Sequence, residues 1–330
     1  MLSFKPLKDN ASRHIASIED SKGNFKETLW FTELEDEYDK PVDNFAEEMK
    51  QYTTSDSTPQ DFRLKKGYKL SILPSNPVDN LQRESIAIFG APGSGKTWQI
   101  NNYVANYHLM YPRNKIDYYS ANDQDASFDE ETERHINRKK LWDVNGIIDV
   151  KQSGDSLIIF DDVLDVVVPI DPMDVYGEEY FQASLRDQLR MQKDCDAKAK
   201  SVNGYLNKSV VNILNLGRKY NINCIVVYHE LRSGKPATFV VNLSSCCLLF
   251  PYLESRQTLM DYLKDRLSFS KQDIKQFEQE KFFNHNFMYL NKAGKRFYFT
   301  PNHFKFLTWY VEQGWVVIPP INLNRQAIST

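Results

Sequence analysis

Gly90-Ala91-Pro92-Gly93-Ser94-Gly95-Lys96-Thr97 follows directly on the apolar run Ile86-Ala87-Ile88-Phe89. The octet matches the phosphate-loop pattern G-x-x-x-x-G-K-[ST] at every position. The spacing has a chemical reason. Glycines let successive backbone N–H groups curl around a polyphosphate, a lysine neutralises its charge, and the next hydroxyl reaches a Mg²⁺ ion. Gly90, Gly93 and Gly95 permit the curl, with Ala91, Pro92 and Ser94 between them. Lys96 is expected to reach the β and γ phosphates and Thr97 to hold the metal. Trp98 to Met110 carries Ile100, Val104 and Leu109, so a helix starting at the loop adds its N-terminal dipole, and Trp98 joins the expected nucleotide-binding set.

Working downstream, Leu157 to Phe160 is a buried-strand pattern that runs straight into Asp161-Asp162. In parallel α/β sheets the carboxyl ends of strands are where ligands bind. Asp161 is therefore read as a Mg²⁺ ligand and Asp162 as the group that orients or deprotonates an attacking water. A plain strand-end turn is the competing reading of two adjacent aspartates. Ile116 to Ser120, Cys224 to Tyr228 and Cys246 to Phe250 are further buried-strand candidates, making five with the first two. Continuous apolar strands separated by helical stretches predict an α/β fold with a mainly parallel sheet flanked by helices. Ile116 to Ser120 lies between the two motif strands in sequence, which suits P-loop ATPases with an extra strand inserted there.

Between the second motif and Cys224 runs an insertion, about 163–205, with a helical stretch near Glu179 to Lys200 in which Arg186, Arg190, Lys193, Lys198 and Lys200 outnumber Asp187, Asp194 and Asp196. Such a stretch suits contacts to DNA phosphates, although mixed charge on a helix is most simply a solvated face. A second helical pattern, Leu206 to Leu216, ends at Gly217, read as a C-cap. His229-Glu230 closes the next strand and would stand beside Asp161-Asp162 if the two strands are neighbours.

Three segments resemble the FtsK-HerA superfamily of P-loop ATPases, and within it the genome-packaging ATPases of large DNA viruses and virophages. They are the octet at 90–97, Leu157-Ile-Ile-Phe-Asp-Asp162, and Gly217-Arg-Lys-Tyr-Asn-Ile-Asn-Cys-Ile-Val-Val-Tyr-His229. The similarity covers roughly Ser85 to Phe250. It implies a RecA-like P-loop NTPase core using ATP and Mg²⁺, assembled as a homo-oligomeric ring that drives double-stranded DNA into a preformed capsid, with a capsid or portal-vertex protein as partner. The resemblance also implies that Arg218 reaches a neighbouring subunit's nucleotide. It places His229 where many relatives carry a sensor Gln, a departure that still leaves a donor for a phosphate.

Composition narrows the rest. The 330-residue chain, 41% hydrophobic and 26% charged, suits one large α/β domain with extensions. Its formal net charge of -3 gives no global basic field, so any nucleic-acid contact must be local. No apolar run spans a bilayer, since Leu157 to Ile170 is broken by Asp161, Asp162 and Asp165. With no signal-peptide core at the start, the expectation is a soluble protein without membrane insertion, in host-cell cytoplasm, at a viral assembly site or on the virion. Cys195, Cys224, Cys246 and Cys247 lack metal spacing and read as reduced thiols.

The expected organisation is an N-terminal extension over 1–80, with strands at Thr28 to Phe31 and Tyr68 to Leu73 joining the main sheet. A core over 81–252 follows, and then C-terminal helices and a β-hairpin over 253–330. The hairpin flanks Asn291 to Lys295, and the aromatics around it are read mainly as packing, with base stacking as the minor alternative. Two other function classes stay open. One is a small-molecule kinase or GTPase, although of the guanine-specificity pattern Asn-Lys-x-Asp both Asn207-Lys208-Ser209-Val210 and Asn291-Lys292-Ala293-Gly294 lack the final Asp; the other is an ATP-binding scaffold without turnover.

Overall fold

The computed structural model describes residues 2–6, 12–32, 45–54, 61–74, 83–121, 128–164, 167–229, 234–253, 255–278, 287–291 and 297–306. The acidic run Glu33 to Glu37, Glu230, the basic trio Lys292, Lys295 and Arg296, and Trp309, Tyr310 and Trp315 lie outside them.

Strands before the phosphate loop are β1 (Leu2–Ser3), β2 (Ser12–Asp20), β3 (Phe25–Thr32), β4 (Asp61–Arg63) and β5 (Tyr68–Ile72), with helix α1 (Phe45–Lys50) among them. Next come β6 (Ser85–Gly90), α2 (Lys96–Met110), β7 (Lys115–Ser120), α3 (Glu130–Glu133), β8 (Asn137–Lys139) and β9 (Ser156–Asp161). Helices α4 (Pro172–Tyr176), α5 (Glu178–Gln182) and α6 (Leu185–Leu216) lead into β10 (Ile222–Tyr228) and α7 (Gly234–Leu243). Then follow β11 (Cys246–Phe250), α8 (Arg256–Asp265), α9 (Lys271–Glu278), β12 (Met288–Asn291), β13 (Phe297–Thr300) and β14 (His303–Phe306). The chain divides into two compact units, one of 1–79, 90–95 and 245–330, the other of 80–89 and 96–244.

The second unit holds a parallel sheet in the order β6-β10-β9-β7-β8. β6, β9 and β10 are buried along their whole length. That is why their centres read as near-continuous apolar runs rather than as an alternation. Each such side chain contributes about 1.5–3 kcal/mol on burial. β10, not β7, separates the two motif strands in space, with Val226 opposite Ala87 on one side and Phe160 on the other. β8 was not anticipated; three polar residues, Asn137-Arg138-Lys139, carry no hydrophobic signal and pair only because β7 offers its edge.

The insertion corrects a second expectation. The first predicted helix breaks at Ala183, its start falling in α5, and the remainder joins the second predicted helix as α6, in which Gly204 between the two is a weak breaker. Ser184 caps it, its Oγ accepting from Asp187 N. Its buried face begins at Cys195 and continues through Ala199, Val202, Leu206, Val210 and Ile213, whereas the ten residues from 185 to 194 bury nothing. Thirty-two helical residues extend about 48 Å. The seven of β10 cover about 23 Å.

Gly217 is the C-cap of α6, its N–H donating to Ile213 O, with φ -58° in place of the left-handed conformation common at that position. A 3-10 turn over Gly217–Tyr220 intervenes, and Asn221 takes the left-handed conformation at φ 53°. Gly217 is needed for close approach: an added Cβ would meet Arg83 Nη1 at 2.9 Å and Ile222 Cβ at 3.3 Å. The Arg83 guanidinium is held there by donating to the carbonyls of Ile213 and Leu214, satisfying the exposed end of α6. Gly217→Ala is therefore expected to lose about 1 kcal/mol or more in denaturant unfolding. Helix propensity alone would predict a gain of similar size. A variant as stable as the wild type would show that Arg83 yields freely.

In the first unit the N-terminal strands do not join a parallel sheet. β1, β3, β2 and β5 form their own four-stranded antiparallel sheet. β2 and β3 pair as sequence neighbours, whereas β1 and β5 add to the outer edges of that hairpin from farther along the chain. β11, β12, β13, β14 and β4 pair antiparallel in that order. The stretches read as separate N- and C-terminal extensions thus fold together. Leu64 N donates to Asn302 O, and Phe31 packs on Phe297 with ring centroids 5.1 Å apart. Phe297, Tyr298, Phe299 and Phe304 are buried, so those aromatics pack this unit rather than facing outward for base stacking. Ser270 and Asp273 form a reciprocal capping box at the start of α9.

Candidate functional site

Within the first unit, the loop after β6 closes on itself through Ser94 N donating to Ala91 O. Gly93 and Gly95 hold φ of 75° and 99°, where a side chain would be strained. Gly90 is close-packed instead, since a Cβ there would sit 2.6 Å from Phe250 Cβ and 2.8 Å from Ser94 Oγ. Ser94 Oγ is buried and finds no hydrogen-bond partner among the described residues. Pro92 and Gly93 are exposed and Ala91 is half-buried.

Within the second unit, Lys96 opens α2 and is 5% exposed. Thr97 beside it is half-buried and Trp98 is exposed. Asp161 ends β9, buried. Asp162 stands next in a left-handed conformation, φ 56°, uncommon for any residue with a side chain but best tolerated by Asn and Asp. His229 follows β10, exposed at the carboxyl end of the strand between β6 and β9.

Register brings three of these side chains together. His229 Nε2 lies 2.7 Å from Asp162 Oδ2, and its Nδ1 lies 3.2 Å from Lys96 Nζ. A lysine ammonium only donates, so Nδ1 accepts, Nε2 carries the proton, and Nε2–H donates to Asp162. Burial pulls the Lys96 pKa below the ordinary lysine value, opposed by the negative charges of Asp162 and Asp161. The lysine is thus partly desolvated while two carboxylates keep it charged.

Asp161 is held from the other side. The Tyr118 hydroxyl on β7 donates to Asp161 Oδ2. Sequence reasoning passed over Tyr118. The signal lay in the pairing of Ser120 with Asp161, which sets Tyr118 on the same face two residues back.

Arg218 does not join this cluster. It is exposed on the 3-10 turn at the amino end of β10, a full strand length from His229. The segment around it is a structural joint. Gly217 packs against Arg83, Asn221 makes the left-handed turn and donates to Asp155, and Asn223 Oδ1 accepts from Glu84 N.

Two hard oxygen donors on adjoining motifs, the Thr97 hydroxyl and the Asp161 carboxylate, are of the type that Mg²⁺ takes. The orphaned Ser94 hydroxyl within the loop is the kind of group an anion would satisfy. No group of three or more His, Cys, Asp or Glu suited to a metal occurs among the described residues, and all four cysteines are free and buried. No helix of the described residues is long and apolar enough to cross a membrane.

The fold is a mixed α/β architecture whose parallel sheet carries a phosphate-loop sequence and paired acids at strand ends. No family model and no curated protein matches the chain. Among solved structures it is similar to the genome packaging NTPase B204 from Sulfolobus turreted icosahedral virus 2 in complex with ATP-gammaS. That match has 11% identity and a TM-score of 0.40, covering 68% of this chain and 98% of that one. It is also similar to the pCW3 conjugation coupling protein TcpA with ATPgS, at 11% identity and a TM-score of 0.39, over 91% of this chain and 78% of that one.

Proposed function

We propose that this chain is a Mg²⁺-dependent ATPase that uses hydrolysis to move double-stranded DNA. The observation that carries the ATPase reading is that Lys96, the lysine of a complete phosphate-loop sequence, meets His229, which in turn meets Asp162, at the carboxyl ends of adjacent parallel strands. The DNA-moving role, the homo-oligomeric ring and the packaging of a viral genome into a capsid with a portal-vertex partner are supported by the sequence resemblance of the three segments.

In this reading the loop amides and Lys96 bind the phosphates, and Thr97 and Asp161 hold the metal. Mg²⁺, when bound with ATP, neutralises charge on the β and γ phosphates. Asp162 orients the attacking water and takes up its proton at a carboxylate oxygen. His229 orients the Asp162 carboxylate through its Nε2–H, and it serves as a donor to the γ-phosphate by turning that same N–H from Asp162 to a phosphate oxygen. Arg218, remote from the site of its own chain, serves only a neighbouring copy. Trp98, exposed at the start of α2, flanks the bound nucleotide.

The test is ATP hydrolysis by the purified protein with and without long double-stranded DNA, with Lys96→Ala as blank. Lys96-dependent hydrolysis stimulated severalfold by DNA is expected. Lys96-dependent hydrolysis indifferent to DNA would remove the translocase reading and leave an ATPase of another kind; no hydrolysis above the blank would remove both.

A further inference from the structure

We infer that Tyr118 is a positioning residue for the metal-binding carboxylate of Asp161, and that Arg138 sharpens its hydrogen bond; the inference rests on the nucleotide reading above. Tyr118 is fully buried on β7, and its hydroxyl donates to Asp161 Oδ2. Register puts the two side chains within reach. Tyr118 is paired with Ile159 and Ser120 with Asp161, so the phenol leans two residues along one face of adjoining strands. A buried tyrosine could instead satisfy its hydroxyl on any carbonyl, yet this one is directed at the acid that ends β9.

A second layer bears on the same ring. Arg138 on β8 is the direct cross-strand partner of Tyr118, and its guanidinium carbon stands 4.7 Å from the Tyr118 ring centroid and 5.2 Å from that of Phe128. Phe128 meets Tyr118 edge-on at 5.4 Å. Glu133 grips the guanidinium with both carboxylate oxygens, at Nε and Nη2, which fixes its plane. A cation over a phenol ring draws electron density from it and makes the O–H a stronger donor. The chain Glu133, Arg138, Tyr118, Asp161 therefore sets the rotation of the carboxylate and its basicity through an outer layer of contacts. Such outer partners commonly change metal affinity about 10-fold or more when removed.

The experiment uses the full chain, Mn²⁺ as the metal probe and a non-hydrolysable ATP analogue, with free Mn²⁺ read by electron paramagnetic resonance. In Tyr118→Phe, Mn²⁺ affinity of the protein–nucleotide complex is expected to fall about 10-fold, while nucleotide affinity in EDTA stays at the wild-type value. Arg138→Gln retains the hydroxyl and is expected to shift Mn²⁺ affinity the same way by about threefold, which keeps the test open if the phenylalanine variant does not fold. Equal Mn²⁺ affinity in wild type and variants overturns the positioning role, as does equal loss of nucleotide binding in EDTA, the signature of a merely structural tyrosine. A wild-type chain that takes up neither nucleotide nor Mn²⁺ overturns the nucleotide reading itself.

Discussion

Lys96→Met is expected to lower ATP turnover by about 10³ or to background, and at the same time to raise the melting temperature at neutral pH by about 2 °C. The first effect follows from charge. A phosphoryl-transfer transition state spreads negative charge over the γ oxygens, and a buried ammonium aimed at them acts with little screening by water. The second follows from the same burial. Lys96 is 5% exposed, and desolvation holds its pKa below the ordinary 10.5 despite Asp162 and Asp161. At neutral pH the lysine is charged whether folded or unfolded, so folding bears the desolvation penalty and methionine relieves it. As pH rises toward 10.5 the folded lysine releases its proton before the unfolded one does. The unfolded state then binds more protons, and wild-type stability rises relative to the variant. Calorimetric scans at neutral and alkaline pH check both signs. A variant that melts below the wild type at neutral pH would show that the hydrogen bond to His229 outweighs the burial penalty.

Asp162→Asn is expected to leave ATP binding within about threefold of wild type and to reduce turnover by about 10²–10³. Asparagine is the right substitution because Asp162 sits at φ 56°, a conformation that Asn tolerates at least as well as Asp. Its amide oxygen still accepts from His229 Nε2, so the exchange removes charge and basicity while the 2.7 Å pairing persists. Alanine would add backbone strain and obscure the result. Nucleotide titration and single-turnover hydrolysis separate the two terms. Full turnover in the Asn variant would reduce Asp162 to a structural partner of His229 and assign the water-activating role to another base.

Lys96, Thr97, Asp161 and Asp162 were legible as candidates because each belongs to a motif whose chemistry is local. His229 was legible only conditionally, because its relevance depended on whether two strands were neighbours. The pairing of Val227 with Asp161 meets that condition. Gly217 was legible as the C-cap of α6, but not the reason a glycine is needed there: its φ is negative, Asn221 takes the left-handed turn, and Gly217 makes room for Arg83. Arg83 itself gave no sign, since its acceptors lie 130 residues away in sequence.

By itself the sequence determined the phosphate loop, the strand before it, the helix after it and the acids at a strand end. Periodicity, glycine freedom and helix dipoles act over a few residues and are written where they act. Tertiary structure alone decided that β10 parts the two motif strands and carries His229 to both Lys96 and Asp162. It also decided that Tyr118 holds Asp161, and that the two ends of the chain share one unit. Those outcomes depend on which edges and registers satisfy distant backbone groups while burying both faces of a sheet, a condition no single stretch of the chain contains.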